Sequence, residues 1–148
     1  MLPVSEITQF PSVLVRLDGV KSAIIDEFNQ YVRPTLNPKL TKFSIELTAI
    51  TQRTVDQSEA LPAVMTKYMG WLRQHGLTDA AGRRVGDWAI CTWSDADIGS
   101  QLTRELAFKQ IAMPACFDKC APSLGVVRMF ETVCVCRGRS ETVVPAAL

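Results

Sequence analysis

The sequence predicts an α/β domain: a mixed sheet flanked by helices. Three observations carry this expectation. Two apolar, partly alternating runs meet at Asp18-Gly19, a helical stripe is formed by Leu61, Met65, Tyr68 and Leu72, and a short apolar run, Trp88 to Thr92, breaks into Asp95 and Asp97. At 148 residues, with 47% hydrophobic and 21% charged, the chain has the length and balance of one ordinary globular domain with a substantial core.

Each element follows in order. From Gln9 to Leu17 the run Phe10, Val13, Leu14, Val15 and Leu17 is apolar and rich in β-branched residues, and it ends at a turn signal, which predicts a strand. Ile24 to Arg33 alternates and stops at Pro34, so the two runs read as an antiparallel hairpin. Asn37-Pro38 offers an N-cap with proline at the first helical position, and Leu40, Phe43 and Leu47 follow at helical spacing. Thr51 caps a further brief turn. The stripe from Leu61 to Leu72, flanked by Val64 and Trp71 and ended by Gly76, is the second main helix.

Leu77 to Asp87 reads as a loop that feeds the Trp88 strand, and Leu102, Leu106 and Phe108 predict a helix between Gly99 and Ile111, closed by Met113-Pro114. Beyond Cys120 two Val-rich runs around Arg137-Gly138 are expected to pair as a hairpin.

A formal net charge of +1 excludes nucleic-acid binding by a broad basic field, so any such contact must be local. The opening MLPVSEITQF lacks the pattern of a secretory signal, and no run approaches the roughly 20 apolar residues of a membrane span, so an intracellular protein without a membrane partner is expected. The five cysteines, Cys91, Cys116, Cys120, Cys134 and Cys136, are odd in number and are expected to be reduced thiols. The C-x3-C and C-x-C spacings of the last four fit a zinc site poorly.

Two readings of the aspartate pair stand side by side. A carboxylate just past a strand lies near the carboxyl edge of an α/β sheet, where ligands bind, and carboxylates converging there can hold Mg²⁺. Alternatively Asp95 caps a helix beginning near Asp97, and Asp97 favours the positive end of its dipole.

The stretches FNQYVRP, KFSIELTAITQRTVDQ, CTWSDADIGSQL and MPACFDK, in this order and spacing, resemble the DEDDh (DnaQ-like, RNase T-like) 3′-to-5′ exonucleases, and within them the Eri1-like exoribonucleases. The similarity covers about residues 5–119, a partial exonuclease domain, and leaves 120–148 as a divergent tail. It implies an RNase H-like exonuclease fold and Mg²⁺- or Mn²⁺-dependent release of 5′-mononucleotides from the 3′ end or 3′ overhang of single-stranded RNA. It places the family's metal-ligating, catalytic aspartate at Asp97, with Asp95 as its neighbour, and its terminal-nucleotide contacts at Leu47 and Thr48. Ala49 stands where the family's ELTGIT stretch has glycine. For Leu47 a place in the helix's core face is the competing reading.

The resemblance also implies an Asp-x-Glu pair on a first, central strand ahead of Ser5, and a last aspartate following a catalytic histidine. Met1-Leu2-Pro3-Val4 carries no carboxylate, no histidine follows Cys120, and His75 at a helix end reads as a solvated residue favourable to the helix dipole. A catalytically incomplete exonuclease domain is therefore expected, with a non-catalytic remnant that binds RNA ends or a protein as the alternative. A third reading is a plain α/β domain whose aspartates only cap a helix. The sheet is expected to want a strand between the hairpin and the Trp88 strand, a slot that the tail's apolar runs could enter.

Overall fold

In the computed structural model the chain is described over residues 5–18, 21–92, 96–117, 120–122 and 133–137. Strands β1 (Gln9–Asp18) and β2 (Lys21–Arg33) form the expected antiparallel hairpin. The register slips once: Leu14 faces Asp26 and Val15 faces Ile24, which leaves Ile25 as a bulge on β2. On the helix-facing side of β2, Phe28 and Val32 are buried.

Helix α1 (Lys42–Thr48) begins later than Asn37-Pro38 implies. Its N-cap is Thr41, whose hydroxyl accepts the Ser44 N–H, and α2 (Gln52–Asp56) is capped in the same way by Thr51. The physical reason lies outside the local sequence. The N–H groups of Thr35, Leu36 and Asn37 all donate to the Glu6 carboxylate, so this stretch wraps around an anion instead of entering a helix.

A short strand, β3 (Glu59–Ala60), pairs parallel with the end of β2 and leads into α3 (Leu61–Gln74). This helix buries Leu61, Val64, Met65, Tyr68, Trp71 and Leu72, the predicted stripe and its flanks. It closes in a Schellman motif: Gly76 takes φ +69° and donates to Arg73 O, while the Leu77 N–H donates to Leu72 O.

Strand β4 (Trp88–Thr92) is followed by a π-helix, Ala96–Leu102, continuous with α4 (Thr103–Phe108). The helix expected from Gly99 thus opens three residues earlier and with a wider turn. Thr103 Oγ1 donates to Ile98 O, five residues back, at 2.7 Å, occupying a carbonyl of the widened segment. A 3₁₀ turn at Ala115–Phe117 precedes β5 (Cys120–Pro122) and β6 (Val133–Arg137).

The sheet order is β3-β2-β1-β6-β4-β5. Strand β6 runs parallel to β1, from Ser12↔Val133 to Arg16↔Arg137, and antiparallel to β4, from Trp88↔Arg137 to Cys91↔Cys134. The slot between the hairpin and the Trp88 strand is therefore filled by one of the tail's apolar runs. The second run, and with it the expected hairpin around Arg137-Gly138, lies outside the described residues.

Tyr68 is the hub of the core under this sheet. Its ring centroid lies 5.0 Å from Phe10, 5.2 Å from Phe28, 5.7 Å from Trp71 and 6.0 Å from Phe117, and its hydroxyl meets Ser12 Oγ at 3.2 Å. Burying such rings removes apolar surface from water, and the paired hydroxyl spares the core an unsatisfied polar atom.

Candidate active site

Three chain segments enclose a cavity of about 330 Å³: residues 5–11, one side of α1, and the π-helix. Asp97, Leu47 and Thr48, which are distant in sequence, line it together with Phe43, Ser44 and Gln101. The volume is at the lower end of the about 300–1,000 Å³ of small-molecule sites.

Asp97 reaches this place because β4 ends at Thr92 and the π-helix opens at Ala96, with Asp97 half-buried in its first turn. Asp95 lies outside the described residues. Helix α1 contributes the opposite wall. It buries none of its residues, and Phe43 and Leu47 are 72% and 61% exposed, so the core reading of Leu47 does not hold.

Thr48 is held by its own backbone. Its hydroxyl donates to Ser44 O at 2.8 Å and accepts the Ile50 N–H at 3.2 Å, so the group is engaged in closing the helix. Ala49 follows as the C-cap in the left-handed region, φ 57°, ψ 11°, with its N–H on Ile45 O at 2.9 Å. The turn that glycine makes in the ELTGIT stretch's terms is thus made here by alanine, against its Cβ.

The wall formed by residues 5–11 is tied down at several points. Gln101 Nε2 donates to Ser5 O at 2.7 Å, the Ile7 N–H to Glu105 Oε2 at 2.7 Å, and the Val32 N–H to Thr8 O at 2.9 Å. Burial pushes the Glu6 carboxyl up, but the N–H groups of Asn37, Thr35 and Leu36, with the Lys109 ammonium, outweigh it and hold its pKa below the ordinary value. The cavity lining carries two carboxylates, Glu6 and Asp97, and no lysine or arginine among the described residues.

His75 does not line this cavity. Its Nε2 lies 2.7 Å from Asp26 Oδ2, which also accepts Trp71 Nε1–H at 2.7 Å, so the ring is tethered between β2 and α3 instead of standing solvated at the helix end. Cys91 and Cys116 are buried and unbridged. Among the described residues no group of three or more His, Cys, Asp or Glu could hold a metal ion, and no helix is long and apolar enough to cross a membrane.

The exonuclease family typified by RNase T matches residues 3–109. The chain belongs to this family. Among relatives, it is 39% identical over 118 residues to ERI1 exoribonuclease 2 of Danio rerio, covering 74% of this chain and 21% of that protein. It is 37% identical over 122 residues to the 3′-5′ exonuclease Snipper of Drosophila melanogaster, covering 78% and 43%. The chain therefore spans less than half the length of these relatives.

Two solved structures share the fold of this exonuclease domain. The nuclease domain of 3′hExo, a DEDDh family member bound to rAMP, superposes with a TM-score of 0.55 at 22% identity, over 77% of this chain and 66% of that one. Cell-death related nuclease 4 gives 0.56 at 23%, over 76% and 44%. The mixed sheet flanked by helices is the RNase H-like exonuclease fold, and the DEDDh, Eri1-related resemblance is one of common family.

Two features of this cavity are not legible in the sequence. Phe43 counts by spacing as one apolar position of an amphipathic helix, yet it stands exposed at the cavity; the available signal was the shortness of α1, with seven residues and no buried face. The ties of this wall to α4, from Ile7 to Glu105 and from Glu6 to Lys109, join residues about a hundred positions apart, and no local pattern announces them.

Proposed function

We propose that this chain is the 3′-to-5′ exoribonuclease domain of an Eri1-like protein and that the 330 Å³ cavity receives the 3′-terminal nucleotide of single-stranded RNA. The observation that supports this reading is the convergence of Asp97 with Leu47 and Thr48 in one cavity. Phe43 and Leu47 offer apolar surface on which a base can stack, which is sequence-tolerant because every base has a π-face. Ser44 and Thr8 supply hydroxyls within the same lining for the sugar.

A phosphate entering a lining with two carboxylates and no cationic side chain requires a counter-charge. The reading assigns Asp97, which lines the cavity at the position the family resemblance gives to a metal-ligating aspartate, as the carboxylate ligand of Mg²⁺ or Mn²⁺, while Glu6 holds Lys109 and three backbone N–H groups. Such an ion would polarise the phosphoryl oxygen and lower the pKa of bound water. One carboxylate does not make a closed site, and the described residues do not by themselves fit a two-metal centre. What they do in this reading is seat the terminal nucleotide, exclude water from its base through Phe43 and Leu47, and bring one carboxylate toward its phosphate.

Fluorescence anisotropy with a short single-stranded RNA tests the proposal. RNA with a free 3′ end should bind more tightly than the same sequence circularised, and Mg²⁺ should strengthen the linear complex alone. Equal binding of linear and circular RNA would show that the cavity does not take a 3′ terminus.

A further inference from the structure

From the cavity lining, where Glu6 stands, an ionic cluster runs inward to α4. Lys109, the C-cap of α4, places Nζ 2.6 Å from Glu105 Oε1 and 2.9 Å from Glu6 Oε1. The side chains of Lys109, Glu105 and Glu6 are 8%, 0% and 2% exposed. Each carboxylate also holds backbone: Glu105 accepts the Ile7 N–H at 2.7 Å, and Glu6 accepts those of Thr35, Leu36 and Asn37 at 2.8, 2.9 and 2.6 Å.

Two carboxylates against one ammonium make a buried cluster with an excess negative charge, which the four backbone N–H groups help to offset. Apolar residues of similar volume would commonly stabilise such a site as well or better, so stability alone gives no reason for the charges. Their geometry does. The cluster joins the three segments that build the cavity: residues 5–8 are one wall, residues 35–37 lead into α1 with Phe43 and Leu47, and α4 continues the π-helix that carries Asp97 and Gln101.

We propose that Glu6, Glu105 and Lys109 are positioning residues that fix the spacing of the three cavity walls, and so the separation of Asp97 from Leu47 and Thr48 at which a terminal nucleotide is held. The proposal rests on the reading of the cavity as a nucleotide site and adds to it the residues that set its width. Lys109 is the link, since among the described residues it touches both carboxylates from the helix that follows Asp97.

The test uses the full chain, with adenosine 5′-monophosphate and Mg²⁺ in calorimetric titration beside urea unfolding. Lys109→Met strands two buried carboxylates and should lower stability. Adding Glu105→Gln removes one stranded charge while keeping an oxygen for the Ile7 N–H, so the double variant should regain most of its unfolding midpoint without regaining the link between α4 and Glu6. It should then bind the nucleotide about ten- to a hundredfold more weakly, the scale on which small misplacements are felt. A double variant with both native midpoint and native affinity would overturn the positioning role, since a merely structural cluster leaves affinity untouched in a folded protein. If the unsubstituted chain binds no nucleotide, the site reading fails, and the link is decided by amide resonances. Shifts confined to residues 5–8 and 35–37 in the double variant, with α3 unchanged, uphold it; unchanged resonances at 35–37 overturn it.

Discussion

Ala49→Gly should make this protein more stable, which is unusual for a substitution that introduces glycine. Ala49 holds φ 57° and ψ 11° at the C-cap of α1, where its Cβ is crowded by the backbone. An L-residue in this region costs roughly 1–2 kcal/mol, a cost that glycine escapes. Against this, glycine adds freedom to the unfolded chain worth about 0.4–1 kcal/mol. The position is exposed, so no core packing is lost with the methyl. The difference is a gain of about 0.5–1 kcal/mol. With a urea slope of about 1–3 kcal/mol/M, the midpoint should rise by roughly 0.2–1 M at unchanged slope. Equilibrium unfolding in urea, followed by circular dichroism, measures this directly. A midpoint that falls would mean that the left-handed cap is not strained, and that the turn presenting Leu47 and Thr48 has a different shape.

Two further outcomes follow from the fold. Deleting the chain after Lys119 removes β5 and β6, so β1 and β4 lose the strand that joins them; a broad, non-cooperative transition with association on size-exclusion chromatography is expected, and an unchanged monomeric transition would refute the place of β6 in the sheet. Asp26, whose pKa is lowered by hydrogen bonds from Trp71, from His75 and from the Glu27 N–H, contributes stability that is present above the unfolded carboxylate value, near pH 4, and lost as pH falls through the depressed folded value. Asp26→Asn should therefore flatten the acid limb of a midpoint-against-pH curve; an acid limb identical to that of the unsubstituted protein would show that the Asp26 contacts do not couple to folding.

What could be read from the sequence were the features set by neighbours. The stripe of α3, the hairpin and the Thr51 cap depend on periodicity or on residues three apart, and all three stand in the structure. The start of α1 was misplaced because Glu6, about thirty residues away, draws off the N–H groups of residues 35–37. The π-helix depends on Thr103 reaching the Ile98 carbonyl, which spacing of apolar residues does not reveal. The bulge at Ile25 is likewise invisible to alternation, yet it lies beside Asp26, which ties Trp71 and His75 to β2. At the site, the strand-end position of Asp97 left a ligand and a helix-cap reading side by side, and motif resemblance chose between them and supplied Leu47 and Thr48, whereas the exposure of Phe43 and the Lys109 link needed three dimensions.

The central claim is that one cavity seats a terminal nucleotide with a divalent ion at Asp97. Titrating Mn²⁺ into the ¹⁵N-labelled chain with adenosine 5′-monophosphate, and recording paramagnetic broadening residue by residue, tests it most directly. The account predicts broadening centred on Ala96, Asp97 and Ile98 that extends across the cavity to Leu47 and Thr48 only when nucleotide is present, and that is lost in Asp97→Asn. Broadening centred elsewhere, or equally strong in Asp97→Asn, would contradict it.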